Sequence, residues 1–117
     1  MNQLPPPLSK TRRAGDLLFI SGQLPRAADG SIVPGGIIEQ TRQALTNLKG
    51  IVEGEGGNMA DIVKTTVWLT DAGMMGDFNS VYREFFAEPF PTRSTIVSGL
   101  VAAADVEVEA VAWLPAK

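Results

Sequence analysis

The 117-residue chain contains no histidine and no cysteine. Without cysteine it has no disulfide, no thiolate nucleophile and no thiolate ligand for a metal ion. Without histidine it also lacks the commonest metal ligand and the usual general base at neutral pH. Any catalysis must therefore use carboxylates, hydroxyls, amides, arginine, backbone groups or water.

The chain is also poor in positive charge. It has 10 Lys and Arg against 13 Asp and Glu, a formal net charge of −3, and the basic residues are spread along the sequence. Nucleic-acid-binding domains concentrate positive charge in a patch or stripe, so binding to DNA or RNA is not expected. No apolar run reaches membrane-spanning length and the first residues lack the features of a signal peptide, so we expect a cytoplasmic protein with no membrane partner.

Hydrophobic residues make up 44% of the chain and charged residues 20%, which is typical of a globular protein and argues against disorder. The length suits one domain spanning residues 1–117. Apolar residues at three- and four-residue steps predict helices over residues 37–52 and 74–86. Short apolar, β-branched or alternating runs predict four strands, at residues 16–21, 62–69, 92–97 and 106–113.

This order of elements predicts an α+β fold in which two helices cover one face of a small sheet. A chain of this length has too few elements to cover the other face as well. A second copy of the chain is the simplest cover, so we expect the protein to form a homo-oligomer.

Arg93 is distinctive because Pro89 and Pro91 restrict the backbone just before it enters a predicted strand. A guanidinium is planar and permanently charged, which suits recognition of a carboxylate or a phosphate. The alternative is a surface ion pair with a neighbouring glutamate, an arrangement that is common and weak.

The last predicted strand carries two carboxylates. Alternation along the strand places Glu107 and Glu109 on the same face, roughly 7 Å apart. A carboxylate is one of the few acid–base groups left to a chain without histidine. The spacing alone does not say which of the two glutamates would have that role.

Five segments, in this order and with little gapping, resemble the Rid family, also called YjgF-like proteins: ISGQLP at 20–25, QT and ALTNL within 40–48, DIVKTTV at 61–67, FPTRST at 90–95 and VEVEA at 106–110. The resemblance covers nearly the whole chain. It implies a chorismate-mutase-like α+β fold assembled as a homotrimer, with clefts between subunits. In the best-known branch these clefts hydrolyse 2-imino acids such as 2-iminobutanoate and 2-iminopropanoate, or their enamine tautomers, to 2-keto acids and ammonia, with no metal or redox cofactor.

The resemblance also implies roles for individual residues. Arg93 matches the arginine that holds the substrate carboxylate, and Glu107 matches the glutamate that orients or activates the hydrolytic water. Ser21 and Asn79 match residues that line the cleft, and Gly22 shapes the pocket beside Ser21. The plainer alternatives are that Glu107 only neutralises an arginine, and that Ser21 and Asn79 are local caps or turn formers.

Two positions depart from the deaminase branch. Thr95 stands where cysteine is frequent, which removes any thiol role and leaves a backbone role, while Leu8 replaces a tyrosine that lies over the substrate. Leucine cannot donate a hydrogen bond, so the pocket is expected to be more apolar there. The alternative functions are a Rid-type hydrolase of another enamine, aminoacrylate-like or aminomuconate-like, and a trimer that binds carboxylate ligands without turnover. A translation-inhibiting endoribonuclease, described for some relatives, fits less well because the chain has no histidine and no basic stripe.

Overall fold

The computed structural model of the chain describes residues 4–116, so the two ends of the predicted 1–117 domain lie outside the described residues. The elements, in chain order, are β1 (Thr11–Ala14), β2 (Leu17–Gln23), α1 (Ile37–Gly54), a 3-10 helix (Met59–Asp61), β3 (Ile62–Leu69), a second 3-10 helix (Ala72–Met74), α2 (Met75–Phe85), β4 (Thr92–Val97) and β5 (Val106–Trp113).

The five strands form one mixed sheet in the order β1-β2-β5-β3-β4. Neighbouring strands are antiparallel except for β3 and β4, which are parallel and are connected through α2. The α+β fold with two helices and a small sheet is therefore confirmed. This topology makes β4 an edge strand, so Arg93 lies at one margin of the sheet.

The structure adds a strand that the sequence pattern did not predict. β1 has the sequence Thr-Arg-Arg-Ala, which contains no large apolar residue and so gives no alternation to recognise. It forms because Gly15, with a φ of 58°, allows a tight reversal that pairs β1 with β2. The strand predicted at residues 16–21 extends to Gln23, because pairing with β5 resumes there after an irregularity.

Both helices lie against the same face of the sheet, as the sequence pattern predicts. α1 packs on β2, β5 and α2, and its buried residues follow the predicted three- and four-residue spacing. On β5 the buried residues alternate with less buried ones, and the buried set joins the core: Val106, Val108, Ala110 and Ala112. Among the described residues, no helix is long and apolar enough to cross a membrane.

The opposite face of the sheet, which we call the open face, carries large apolar side chains that the chain itself leaves uncovered. Phe19 on β2, Ile96 on β4 and Trp113 on β5 are 45%, 41% and 54% exposed. Strand register and alternation put Glu107 and Glu109 on this same face. An apolar surface of this kind is typical of a protein–protein contact.

Candidate active site

Arg93 points from the edge strand towards α2. Its guanidinium carbon lies 4.9 Å from the centre of the Tyr82 ring and 5.4 Å from the centre of the Phe78 ring. One guanidinium nitrogen, Nη2, is 3.8 Å from the sulfur of Met75. Within residues 4–116 Arg93 forms no ion pair, so its charge is held by aromatic faces rather than by a carboxylate.

Tyr82 fixes this arrangement, although in the sequence it is only one of the apolar positions of the helix predicted over residues 74–86. Phe78, Tyr82 and Phe86 recur at four-residue steps on α2 and its end, so their rings contact one another in a row. The Tyr82 hydroxyl shares a buried hydrogen bond of 2.8 Å with Thr65 Oγ1. Burial raises the pKa of Tyr82, while the Thr65 bond and the Arg93 charge oppose that shift. The neutral phenol is therefore a firm support for Arg93.

Arg93 lines a small cavity of about 210 Å³ at the margin of the sheet. We call it the arginine pocket, and its lining residues are Asn79, Tyr82, Arg83, Phe90, Pro91 and Arg93. The structure thus brings Asn79 and Arg93 together, as predicted for two cleft residues. It also adds Arg83, which sequence reasoning missed. The available signal was its spacing, because Arg83 follows Asn79 by one helical turn.

Thr95 lies two residues beyond Arg93 on β4 and therefore faces the same side of the sheet. It is half-buried and does not line the arginine pocket. Ser94, between the two, points to the open face.

Glu107 lies on the open face, directly beside the backbone of Gly22. A side chain at Gly22 would overlap the Glu107 carboxylate, so only glycine allows this close approach. Burial raises the pKa of Glu107 above its ordinary value, and the negative charge of Glu109 adds to that shift. The structure therefore places Gly22 and Glu107 together and makes Glu107 a better proton acceptor than an exposed glutamate.

A larger cavity, of about 650 Å³, opens between the N-terminal segment and the open face. Leu8, Ser21 and Glu109 are among its lining residues, together with Phe19. The Ser21 hydroxyl donates a 2.6 Å hydrogen bond to the carbonyl of Ser9, which ties β2 to this N-terminal segment. Leu8 is 67% exposed, so its side chain remains available at the cavity wall.

The predicted site residues thus fall into two groups on opposite faces of the sheet. β3 shows this directly, because Arg93 pairs with Thr65 while Glu107 pairs with Trp68, three residues further along the same strand. An odd separation along a strand reverses the face to which side chains point. Arg93 and Glu107 of one chain therefore cannot act on the same small molecule.

Among the described residues, no three Asp or Glu side chains converge in a way that would hold a metal ion. The polar groups that remain at the two cavities are guanidinium, carboxylate, hydroxyl and amide groups. They suit binding of an anionic organic molecule and proton transfer through a carboxylate.

Residues 4–114 match the protein family described as Endoribonuclease L-PSP. A RutC family protein, y4sK of Sinorhizobium fredii, is 45% identical over 107 residues, which cover 90% of this chain and 85% of that protein. The 2-iminobutanoate/2-iminopropanoate deaminase of Capra hircus is 38% identical over 108 residues, covering 91% of this chain and 79% of that protein.

A solved structure gives the same result for the fold. RidA from the Antarctic bacterium Psychrobacter sp. PAMC 21119 superimposes with a TM-score of 0.88 at 30% identity. The match covers 96% of this chain and 92% of that one. Similarity of this extent shows that the two chains share one fold.

Proposed function

The chain belongs to the Rid family, also called YjgF-like, and from that premise we propose that it hydrolyses reactive 2-imino acids, or their enamine tautomers, to 2-keto acids and ammonia. The 2-iminobutanoate and 2-iminopropanoate type of substrate is the first choice, because relatives at 36–38% identity bear the name of that deaminase.

The main support for this proposal is that Arg93 is half-buried against aromatic rings. It is a half-buried guanidinium whose carbon lies over the rings of Tyr82 and Phe78, and it makes no ion pair within residues 4–116. Nη2 contacts the sulfur of Met75, which is a weak acceptor, so the guanidinium keeps N–H donors for a ligand. A 2-imino acid supplies the matching group, since its carboxylate accepts two parallel hydrogen bonds from such an edge.

A homotrimer with clefts between subunits completes the proposed site. Because Arg93 and Glu107 point to opposite faces of the sheet, a cleft that holds both must take them from two chains. The exposed apolar side chains of the open face favour such an assembly, since association would remove them from water.

In the proposed reaction Arg93 of one subunit holds the carboxylate and Glu107 of its neighbour positions a water molecule. The water oxygen bonds to C2 of the protonated imine as the C=N π pair moves to nitrogen, and Glu107 accepts one of the water protons. Glu107 then gives that proton to the nitrogen, and the C2–N bond breaks with its electron pair leaving on nitrogen. As the carbonyl forms, Glu107 accepts the remaining hydroxyl proton and passes it to the departing ammonia, which leaves as ammonium. An imine is already electrophilic, so positioning and a modest base are sufficient help.

The remaining candidate residues would shape the cleft. Gly22 lies beside Glu107, Ser21 lines the neighbouring cavity of the open face, Asn79 lines the arginine pocket with Arg93, and Thr95 would contribute backbone groups. Leu8 makes the side of the cleft nearest the N-terminal segment apolar. No metal or redox cofactor takes part in this scheme.

The direct test generates 2-iminopropanoate or 2-iminobutanoate with an amino-acid oxidase and measures the fraction trapped by semicarbazide. We expect the purified protein to lower the trapped amount, and Arg93→Gln to abolish that effect. Lys49→Gln, which removes an equal charge from an exposed position on α1, serves as the control. Trapping that is unchanged by the wild-type protein would contradict deamination of these imines.

Leu8 motivates a second candidate within the same reaction class, a hydrolase of a different enamine, and a panel of enamine substrates separates the two. Binding of keto acids without imine consumption would instead indicate a trimer that binds carboxylates and performs no turnover. The family description raises RNA cleavage as a further outcome. That activity would replace our proposal if it survived extensive purification and disappeared in Arg93→Ala.

A further inference from the structure

The arginine pocket contains a second guanidinium. Arg83 lies in the last turn of α2, one turn after Asn79, and lines the same cavity as Arg93. Its side chain is exposed, in contrast to the half-buried Arg93. The two arginines therefore stand at different depths, with Arg93 against the aromatic rings and Arg83 nearer the solvent.

Among residues 4–116 no acidic side chain lines this pocket, so the chain does not neutralise the two positive charges there. Glu84 follows Arg83 in sequence, but it is engaged elsewhere: Arg42 of α1 donates hydrogen bonds of 2.8 Å and 3.3 Å to its two carboxylate oxygens. Within residues 4–116 Arg83 forms no ion pair. Within one chain, a ligand that enters the pocket thus meets two cations and no lining carboxylate.

We infer that the arginine pocket selects 2-imino acids with a second carboxylate, that is, imines or enamines of four- or five-carbon dicarboxylic acids. Arg93 would hold the carboxylate next to the imine, and Arg83 would hold the distal carboxylate at the mouth. This inference rests on the proposed function for the role of Arg93. It adds a substrate class, because a monocarboxylic imine would leave Arg83 without a partner.

Arg83 can also stabilise α2, and the test must distinguish this effect from binding of a second carboxylate. A cation in the last turn of a helix interacts favourably with the helix dipole. That role stabilises α2 but gives no preference between ligands with one and two carboxylates. The discriminating measurement is therefore the ratio of affinities for two ligands, rather than the stability of the protein.

The stable keto-acid products are suitable probes. We would measure binding of 2-oxoglutarate and 2-oxobutanoate by calorimetry to the wild-type protein, to Arg83→Gln and to Arg83→Lys. We expect the wild type to bind 2-oxoglutarate roughly tenfold more tightly, because a hydrogen-bonded charge pair adds to the affinity, although by less at an exposed site than at a buried one. Arg83→Gln should lose this preference with little change for 2-oxobutanoate, and Arg83→Lys should retain part of it.

Lys49→Gln again controls for the loss of one positive charge, and it should preserve the preference. Equal binding of the two ligands by the wild type, or equal weakening of both by Arg83→Gln, would overturn the inference. Imine hydrolysis is measured separately. A protein that prefers 2-oxoglutarate through Arg83 but consumes no imine would refute the proposed function and leave the dicarboxylate pocket standing.

Discussion

At the scale of single residues, the site depends on aromatic contacts rather than on ion pairs. A carboxylate partner would compete with an anionic substrate for the donors of Arg93, whereas the rings of Tyr82 and Phe78 do not. Tyr82 is therefore a positioning residue, and its ring and its hydroxyl have separable roles. The ring supports the guanidinium, while the hydroxyl satisfies the buried Thr65.

We predict that Tyr82→Phe lowers the free energy of unfolding by about 1–2 kcal/mol, because Thr65 Oγ1 loses its buried partner. KM should change little, since the ring remains. Tyr82→Leu should also raise KM by roughly threefold to tenfold, because the cation–π contact is lost. Urea denaturation gives the stabilities and steady-state kinetics give KM. A rise in KM of the same size in both variants would show that the hydroxyl, not the ring, supports Arg93.

Activity should fall at acid pH as the proposed base Glu107 becomes protonated. Burial and then Glu109 raise the pKa of Glu107 above 4.5, so we expect kcat/KM to rise with pH through a midpoint above that value. Glu109→Gln should move the midpoint to lower pH, because it removes the neighbouring negative charge. Glu53→Gln, an exposed change on α1, should leave it in place. A midpoint unaffected by Glu109→Gln would remove Glu107 as the titrating group.

The raised pKa of Glu107 also makes the stability of the fold depend on pH. Since the pKa of Glu107 is higher in the folded protein than in the unfolded chain, the folded state binds this proton more tightly. The resulting stabilisation is fully present below the unfolded pKa and is lost as the pH rises through the folded pKa. The ionised Glu107 therefore lowers the stability of the folded protein at neutral pH, and perturbed groups of this kind are common at functional sites.

At the scale of elements, the sequence predicted those parts of the fold whose side chains carry the periodicity. Apolar spacing predicted both helices to within two residues, and alternation predicted that Glu107 and Glu109 share one face of β5. β1 was missed because backbone hydrogen bonds, not its own side chains, hold it to β2. At the site, the sequence predicted that Arg93 suits the binding of an anion. It did not predict that Arg93 and Glu107 lie on opposite faces of the sheet, because that depends on the register of β4 and β5 against β3.

α1 contains a glycine that the fold does not require. Gly50 lies within the helix and is exposed, and a methyl group added there would meet no atom within 4 Å. We predict that Gly50→Ala raises the free energy of unfolding by about 0.5–1 kcal/mol, because glycine loses more conformational entropy than alanine in a helix. Denaturant unfolding measures the gain. Gly50→Ala should leave activity unchanged. Gly22→Ala should lower activity, since its side chain would displace Glu107. A destabilised Gly50→Ala would mean that the glycine has a packing role at a subunit contact.

At the scale of the whole molecule, the sheet separates the two halves of the proposed site. The arginine pocket lies on the helix side and Glu107 lies on the open face, so one chain offers two incomplete sites. Assembly would complete each site with residues from two subunits and would cover the exposed Phe19, Ile96 and Trp113. Catalysis and association are then linked, and an isolated chain should be inactive even when it is folded.

Trimers assembled from two inactive variants should regain activity if the cleft is shared between subunits. Arg93→Gln and Glu107→Gln should each be inactive alone, yet a trimer containing both variants has clefts formed by the intact Arg93 of one chain and the intact Glu107 of another. Co-expression with two affinity tags yields trimers that contain both variants, and mass spectrometry verifies their composition. Each such trimer has one intact cleft of its three, so about a third of wild-type activity should return. A site built within one chain predicts no recovery, because every chain in the mixture then carries a defective site. Mixed trimers of verified composition that stay inactive would thus exclude a shared cleft.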